Sequence, residues 1–356
     1  MKSCIFRSRL LAVLTGVFSL LCQTASATPQ TLFFSGHSLL ENPVPQDVRE
    51  IAKSLGQLSF YEQQNIAGSP IRVRTRGLNP RATQWTGYQS GHNRWGSNLD
   101  ILAELARPSR PQWPHRYDAL IITERHDLLG SLIWEDTLFH LRHFHDRLVE
   151  ANPAANTWLY QPWWSIPDKN NPRHWIDYER AASPIWRCLA TRINLDLQTQ
   201  GRSDRVFTIP ANQALAELVD RSLNSHLEGF SVGSARTRLD ALFRDDVHLT
   251  RLGSYYVALV TYASVFRYSP QGAWAPVDVT AKQAQALQTL AWDVVRQEAA
   301  SVPLSVAQCG HSIRTSFCST FWSFVKRPDQ IKACQQHFGD HQPSNPFRVE
   351  AHPSKS

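Results

Sequence analysis

The chain of 356 residues lacks several features that mark common functional classes. It has no Gly-rich phosphate-binding loop, so a nucleotide cofactor is not indicated. No C-x-x-C pair occurs, which disfavours a structural zinc site. Internal repeats and low-complexity segments are also absent. We therefore expect a protein that uses neither a metal nor another cofactor.

Clustered positive charge is absent as well. The formal net charge is +7, and three of the cations lie within the first 27 residues, which leaves +4 for the rest. The remaining Lys and Arg residues are scattered, whereas nucleic-acid-binding proteins concentrate them on one face. We expect no nucleic-acid partner.

Beyond the N-terminus, no apolar run approaches the roughly 20 residues that cross a bilayer. The first 27 residues show the pattern of an export signal: a positively charged start, an apolar core over 10–21, and the small residues Ala25-Ser26-Ala27. We expect cleavage after Ala27 and an exported protein, periplasmic or secreted, without an integral membrane segment. An uncleaved N-terminal anchor is the alternative.

The cysteines fit an oxidising compartment. Two lie in the expected signal peptide, and the other four are Cys188, Cys309, Cys318 and Cys334. An even number in an exported chain predicts up to two disulfides, for which three connectivities exist. Three of the four lie in the C-terminal tail, so we expect at least one bridge to staple it, with Cys188 as a candidate partner.

Strand and helix patterns alternate at least five times along the chain. Apolar runs such as 117–123 and Asn156–Tyr160 predict buried strands, and segments with apolar residues three or four apart predict helices. Connections of a dozen or more residues predict a parallel sheet with helices on both faces. We expect an α/β three-layer αβα sandwich with about five central strands over 28–300, followed by a disulfide-stapled extension over 301–356.

Two further expectations concern connections. Asp47 is expected to cap a helix over 47–55, after a turn at 42–45. The stretch 72–100 is irregular and contains four glycines among aromatic residues, which predicts a long functional or mobile loop. Five tryptophans fall in loops or at strand ends, where they either stack on sugar rings or pack over the core: Trp85, Trp95, Trp163, Trp164 and Trp175.

The break after the first predicted strand carries a candidate nucleophile. Ser38 follows Gly36 there, at the carboxyl edge where open α/β sheets bind ligands. A serine hydroxyl needs a base within hydrogen-bond reach, usually a histidine oriented by a carboxylate. Asp245 precedes His248 by three residues, a spacing that allows this contact in a tight loop. Asp246 is one residue off that spacing and is the weaker candidate. The alternative interpretation is that Ser38 is only a turn residue and that His248 only caps a helix or packs in the core.

These blocks resemble the SGNH, or GDSL-like, hydrolase superfamily over about 32–266. Gly36-His37-Ser38-Leu39 is similar to its first block, with His37 where the family often has Asp. Asp245, Val247 and His248 with Gly253 are similar to its last block. The resemblance implies a flavodoxin-like fold and a serine mechanism, with Ser38 as nucleophile, His248 as base and Asp245 as its orienting carboxylate.

The resemblance also implies an oxyanion hole formed in part by the amides of Ser38 and Gly68. The third block, normally Gly-x-Asn-Asp, is Glu124-Arg125-His126-Asp127 here, so its Gly and Asn are missing. Loss of one oxyanion donor typically costs roughly 10²–10³ in rate. We expect His126 to supply the missing donor. The alternatives are Asn93 or Asn98 from the long loop, or a slow enzyme with the two amides alone.

Other polar residues are expected to be structural. We expect Glu124 to pair with an arginine such as Arg125 or Arg72 and to shape the pocket. His37 is expected to turn into the sheet edge. A helix predicted over 134–150 carries three histidines without a carboxylate at ligand spacing, which favours a solvated face over a metal site: His140, His143 and His145.

Taken together, the sequence predicts an exported serine esterase that hydrolyses acyl esters of a small molecule or a glycan, including O-acetyl groups on carbohydrate. An acyltransferase that uses the same residues is one alternative. A glycan-binding or envelope protein without activity, whose third block has decayed, is the other.

Overall fold

The computed structural model of this protein describes residues 30–81, 83–108, 116–224, 227–230 and 233–348. The predicted signal peptide, 1–27, lies outside the described residues. Over the described ranges, no helix combines the length and the apolar composition that a membrane span requires.

A five-stranded parallel sheet forms the centre of the described chain, in the order β2-β1-β3-β4-β5. Its strands are β1 (Gln30–Gly36), β2 (Ser59–Asn65), β3 (Ala119–Thr123), β4 (Asn156–Tyr160) and β5 (Val206–Ile209). Every residue of β3 is buried, as are all but the first of β1. Such continuous burial is typical of parallel strands covered on both faces. The predicted α/β class is confirmed.

Helices connect the strands and cover the sheet. The α-helices of the described residues are α1 (Val44–Ser54), α2 (Ile71–Thr75), α3 (Ile101–Leu105), α4 (Leu128–Trp134), α5 (Thr137–Ala151), α6 (Arg173–Thr199), α7 (Ala211–Leu223), α8 (Ala235–Asp240), α9 (Arg251–Phe266), α10 (Ala281–Ala300), α11 (Val306–Ser312), α12 (Cys318–Phe324) and α13 (Ile331–His337). Helix α1 packs against α9, which also packs against α10, while α5 packs against α6.

The strand order puts β1 and β3 side by side at the point where the chain changes direction across the sheet. Gly36 pairs with Asn65 of β2, and Ser35 pairs with Ile122 of β3. The carboxyl ends of all three strands therefore meet at one edge. In doubly wound sheets, a crevice opens at such a switch point and binds ligands.

Some predicted boundaries are wrong. Helix α1 begins at Val44, because the first turn of a helix tolerates the proline that follows. Asp47 therefore lies inside α1, where its carboxylate pairs with Arg251 of α9 at 2.7 Å. The stretch 72–100 is not one irregular loop, since it holds most of α2 and a 3₁₀ turn at Thr86–Gln89. The helix expected over 134–150 is divided between α4 and α5.

The C-terminal segment is attached to the sheet domain by a disulfide between Cys188 of α6 and Cys309 of α11. A second disulfide joins Cys318 to Cys334, so both expected bridges are present. Helices α11 and α12 run on through a π-helical turn at Ile313–Phe317. The ring of Phe324 stacks on that of Tyr178 in α6, with centroids 4.0 Å apart.

Candidate active site

Ser38 lies in the turn that follows β1. Gly36 ends the strand where no side chain fits, since a Cβ there would lie 2.9 Å from the Leu40 Cβ and 3.3 Å from the Thr123 Cγ2. The Leu40 amide donates to the carbonyl of His37 at 2.8 Å and closes the turn. Ser38 is left half-buried at the carboxyl edge of the sheet.

His37 fixes this turn against the end of β3. Its Nε2 lies 2.9 Å from the carbonyl oxygen of Glu124, and a carbonyl can only accept, so Nε2 carries the proton. Its Nδ1 accepts from the Leu39 amide at 3.4 Å. Burial, reinforced by the positive charge of Arg74, lowers the pKa of His37 to about 3. His37 is thus a neutral structural residue, turned into the sheet edge as predicted.

The structure brings Ser38, His248 and Asp245 together, although 210 residues separate the serine from the histidine. The Ser38 Oγ lies 3.0 Å from the His248 Nε2. The other ring nitrogen, Nδ1, lies 2.8 Å from the Asp245 Oδ2. When Nδ1 donates to the carboxylate, Nε2 is free to accept the serine proton.

Asp245 is held by its own loop. Its Oδ1 accepts from the amides of Val247 at 2.9 Å and His248 at 2.6 Å. Burial raises the pKa of Asp245, but these hydrogen bonds and the His248 ring lower it further, to about 2. The carboxylate is therefore ionised at neutral pH. The side chain of Asp246 is exposed and, in the described structure, forms no hydrogen bond with His248.

The segment after β4 supports this loop from the side. The indole nitrogen of Trp163 donates to the carbonyl of Val247 at 2.8 Å, and the Ile166 amide donates to that of Asp246 at 2.8 Å. Sequence reasoning assigned no such role to either residue. The position of Trp163 just after β4 places it at the same edge as Ser38, but the sequence does not reveal its contact with Val247.

Gly68 lies in the turn after β2. Its φ of 63° is in the left-handed region that favours glycine, and the residue is exposed. The Ile66 amide of this turn donates to the carbonyl of Gly36 at 3.1 Å. The turn is therefore tied to the strand that delivers Ser38.

His126 follows β3 and is half-buried. Its ring meets that of Trp164 edge to face, with centroids 4.8 Å apart. Burial, then Arg125, then His248 lower the pKa of His126 to about 4. The imidazole is neutral at neutral pH and keeps one N–H for donation.

Asn93 and Asn98, the alternative oxyanion donors, form local contacts within the long loop. The Asn93 Oδ1 accepts from the amides of Trp95 at 2.9 Å and Ser97 at 3.0 Å, which closes a local turn. Asn98 is exposed and forms an isolated bridge with His92.

A buried arginine that sequence reasoning missed lies beneath these turns. The Arg74 side chain donates to the Ser35 Oγ at 3.1 Å, to the Ser69 carbonyl at 2.6 Å and to the Thr123 carbonyl. It is completely buried. Because these partners belong to β1, to the turn after β2 and to the end of β3, Arg74 joins the three segments that border the site. A buried arginine has no distinctive pattern in a single sequence.

The expected partners of Glu124 are wrong. Arg72 pairs with Glu135 at 2.7 Å, and the Arg125 guanidinium lies 3.8 Å from the same residue. Arg74 is the cation whose charge acts most strongly on the buried Glu124 carboxylate. The carboxylate also accepts from three neighbours: the amide of Ile71, the amide of Arg125 and the hydroxyl of Thr137.

The predicted solvated histidine face is also wrong. His140 and His145 are both buried, His140 beside α2, where its Nδ1 lies 3.0 Å from the Thr75 Oγ1. The His145 ring lies 2.9 Å from the Thr157 Oγ1 and 2.6 Å from the Asp204 Oδ2. The His143 ring stacks on Trp85 at 3.5 Å. Among the residues that the structure describes, no group of three or more His, Cys, Asp or Glu side chains could hold a metal ion.

Four of the five tryptophans pack against neighbouring groups rather than project into solvent. Trp175 lies inside α6, so the prediction of a loop or strand-end position is wrong for it. Trp163 and Trp175 are fully buried, and Trp85 and Trp164 pack against other rings. Trp95 differs, with 74% of its surface exposed. Its ring lies 4.7 Å from the Arg94 guanidinium, in a loop that pairs with the end of β2.

A cavity of about 60 Å³ opens beside the serine. Ser38 and His248 line it together with Asn42 before α1, Trp163 after β4 and Ser254 in α9. The volume is well below the roughly 300–1,000 Å³ typical of sites for drug-sized ligands. The space beside the hydroxyl is suited to a small group.

No protein-family model matches this chain, and no curated protein matches its sequence. In three dimensions, it is similar to a DUF4886 family protein from Bacteroides uniformis ATCC 8492, known from a crystal structure. The TM-score is 0.50 at 14% sequence identity, and the match covers 78% of this chain and 98% of that one. At this identity, the likeness shows the α/β fold alone.

Proposed function

We propose that this protein is an exported serine hydrolase that cleaves short acyl esters. The observation that carries the proposal is the chain of contacts from the Ser38 hydroxyl to the His248 ring at 3.0 Å and on to the Asp245 carboxylate at 2.8 Å. A turn serine and a capping histidine have no physical reason to form this relay. The resemblance of the same blocks to SGNH hydrolases agrees with it.

In the proposed reaction, the Ser38 Oγ attacks the acyl carbon while His248 Nε2 takes the hydroxyl proton. The ester C–O bond then breaks, and His248 returns the proton to the departing alcohol. Water next attacks the acyl-serine, losing its proton to His248, and the acid leaves as Ser38 is restored. Asp245 keeps Nδ1 protonated and stabilises the imidazolium, which its depressed pKa allows across neutral pH.

The negative charge on the acyl oxygen needs donors. We assign this role to the amides of Ser38 and Gly68 and to the ring of His126. His126 suits it because burial keeps the imidazole neutral, so the ring can donate one N–H without carrying charge. In this proposal His126 replaces the asparagine that SGNH hydrolases have in the third block.

The substrate class follows from the dimensions of the site. A cavity of about 60 Å³ beside Ser38 favours an acetyl group over a long acyl chain. The exposed Trp95 belongs to the loop that borders the end of β2, where an aromatic face can stack on a sugar ring. We therefore propose O-acetylated carbohydrate as the substrate.

Hydrolysis of p-nitrophenyl acetate, butyrate and octanoate by the purified protein tests the proposal. We expect the rate to fall with chain length and Ser38→Ala to abolish it. Ser97→Ala, at an exposed serine of the long loop, is the matched control and should retain activity. Activity that survives Ser38→Ala would end the serine mechanism.

Further measurements on the same protein and on Ser38→Ala distinguish the alternative functions. An acyltransferase would pass the acetyl group to an added acceptor glycan, which mass spectrometry detects as an acetylated product. A glycan-binding protein without activity would retain glycan affinity in Ser38→Ala and would leave a fluorophosphonate probe unreacted.

A further inference from the structure

A larger cavity, of about 500 Å³, lies beside the edge strand β5. None of its lining residues also lines the cavity at Ser38. Its volume is within the roughly 300–1,000 Å³ of typical ligand sites. Most of its wall is aromatic or aliphatic, formed by Trp158, Phe207, Ala263, Trp292, Val295 and Pro303.

One cation at this cavity has no anion to balance it. The Arg267 guanidinium lies 5.1 Å from the ring centroid of Phe207 and 5.9 Å from that of Trp158. Within the described chain, its side chain forms no ion pair and no hydrogen bond. By contrast, Arg187 is 3.4 Å from Glu298, the lining carboxylate, and Arg296 is 3.2 Å from Asp293. Arg267 is therefore available to an anionic ligand.

The backbone at Arg267 is the second observation. This residue follows α9 with φ of 58°, in the left-handed region where helices usually end on glycine. A side chain at such a position costs conformational energy. The chain places an arginine there, and its guanidinium reaches the cavity wall.

We propose that this cavity binds a fatty acid. The alkyl chain lies along the aromatic and aliphatic wall, and the carboxylate accepts hydrogen bonds from Arg267. A sugar or a nucleotide would leave its polar groups unpaired against this wall. Because Arg187 already neutralises Glu298, the lining retains net positive charge for the carboxylate. The site needs neither Ser38 nor the proposed esterase activity.

Isothermal titration of the full protein with decanoate, below its micelle concentration, tests the site. We expect one decanoate per chain, decanol to bind at least about tenfold more weakly, and acetate not to bind, since both the charge and the chain contribute. Absence of decanoate binding, or equal affinity for decanol, would overturn the inference.

Two variants locate the site. Arg267→Gly fits the left-handed backbone, so its melting temperature should not fall, while its decanoate affinity should drop about tenfold or more. Lys326→Gly is the matched control, because Lys326 is an exposed cation with φ of 58° after α12 and does not line the cavity. Unchanged affinity in Arg267→Gly would contradict the proposal.

Ser38→Ala separates this inference from the proposed function. We expect the variant to bind decanoate as tightly as the wild type. If it loses decanoate binding, the ligand occupies the Ser38 cavity and the proposed fatty-acid site is wrong, whereas the esterase proposal stands.

Discussion

The indole nitrogen of Trp163 donates to the carbonyl oxygen of Val247 at 2.8 Å and couples the end of β4 to the loop that carries His248. Trp163 also lines the cavity beside Ser38 and is completely buried. One side chain thus lines the cavity proposed for the acyl group and fixes the backbone next to His248, the proposed base. The position of His248 therefore depends on a residue that takes no part in proton transfer.

Trp163→Phe should lower kcat/KM roughly 10–100-fold, because the loop loses a fixed point and small displacements of catalytic groups are costly. The ring remains, so stability should fall by only about 1 kcal/mol, the contribution of one hydrogen bond. Ester hydrolysis and urea unfolding measure the two effects. Trp186→Phe, at another buried indole in α6, should leave activity unchanged. Equal activity losses in the two variants would contradict a positioning role.

Asp245→Asn should lower kcat by roughly 10³–10⁴, because an amide at this position favours the wrong tautomer of His248. The neighbouring Asp246 provides a matched control of the same chemistry. Asp246→Asn should retain wild-type activity, since its exposed side chain forms no described contact with the ring. Kinetics of both variants on p-nitrophenyl acetate decide the point, and a large loss in Asp246→Asn would reverse the assignment.

His126→Leu should reduce kcat by roughly 10²–10³ with little change in KM, the pattern expected when a donor acts only on charge in the transition state. His126→Asn should restore much of the activity, because it supplies the amide donor that SGNH hydrolases use. Asn93→Ala and Asn98→Ala should behave as the wild type. A variant series in which Asn93→Ala is impaired and His126→Leu is not would give the role to the long loop.

A buried carboxyl in α6 predicts a pH dependence of stability. Glu179 is buried in α6, where it accepts from the Trp164 amide at 2.6 Å and from Asn212 at 3.1 Å. Burial raises the pKa of Glu179 to about 8, although these hydrogen bonds oppose the shift. The folded protein therefore retains a proton that the unfolded chain has lost above the ordinary glutamate pKa of 4.5. Its contribution to stability is complete below that value and is lost as the pH rises towards 8.

Glu179→Gln should remove this contribution. Relative to the wild type, the unfolding free energy of the variant should rise by up to about 1.4 kcal/mol per pH unit between roughly pH 5 and 7. His37 and His126 have depressed pKa values, which make the unfolding free energy rise with pH. Both proteins contain these residues, so their contribution cancels when the variant is compared with the wild type. Urea unfolding at pH 5, 6, 7 and 8 measures the difference. A constant difference across this range would contradict the shift.

Elements with strong local signals were predictable. The strand Asn156–Tyr160 has the expected bounds, since it is a compact apolar run. The end of β2 has no such signal, because its last residues are polar. These polar side chains can be buried because they are hydrogen-bonded. The side-chain amide of Gln64, for example, donates to the carbonyls of Arg74 and Gly87.

At the site, the order of the motifs along the chain was enough to predict that Ser38 and His248 meet. Their supports were not predictable, because the partners of Arg74 and Trp163 come from segments that only the folded chain brings together. The prediction of a solvated histidine face on α5 is wrong for the same reason. The spacing of His140 and His143 places them on one helix face, but only the tertiary structure decides what covers it.

Active-site labelling with a fluorophosphonate probe tests the central claim most directly. If the contacts among Ser38, His248 and Asp245 activate the hydroxyl, mass spectrometry should find the adduct on Ser38 of the folded protein, and both His248→Ala and urea should suppress it. A folded wild-type protein that remains unlabelled, or that is labelled at another serine, would contradict the account.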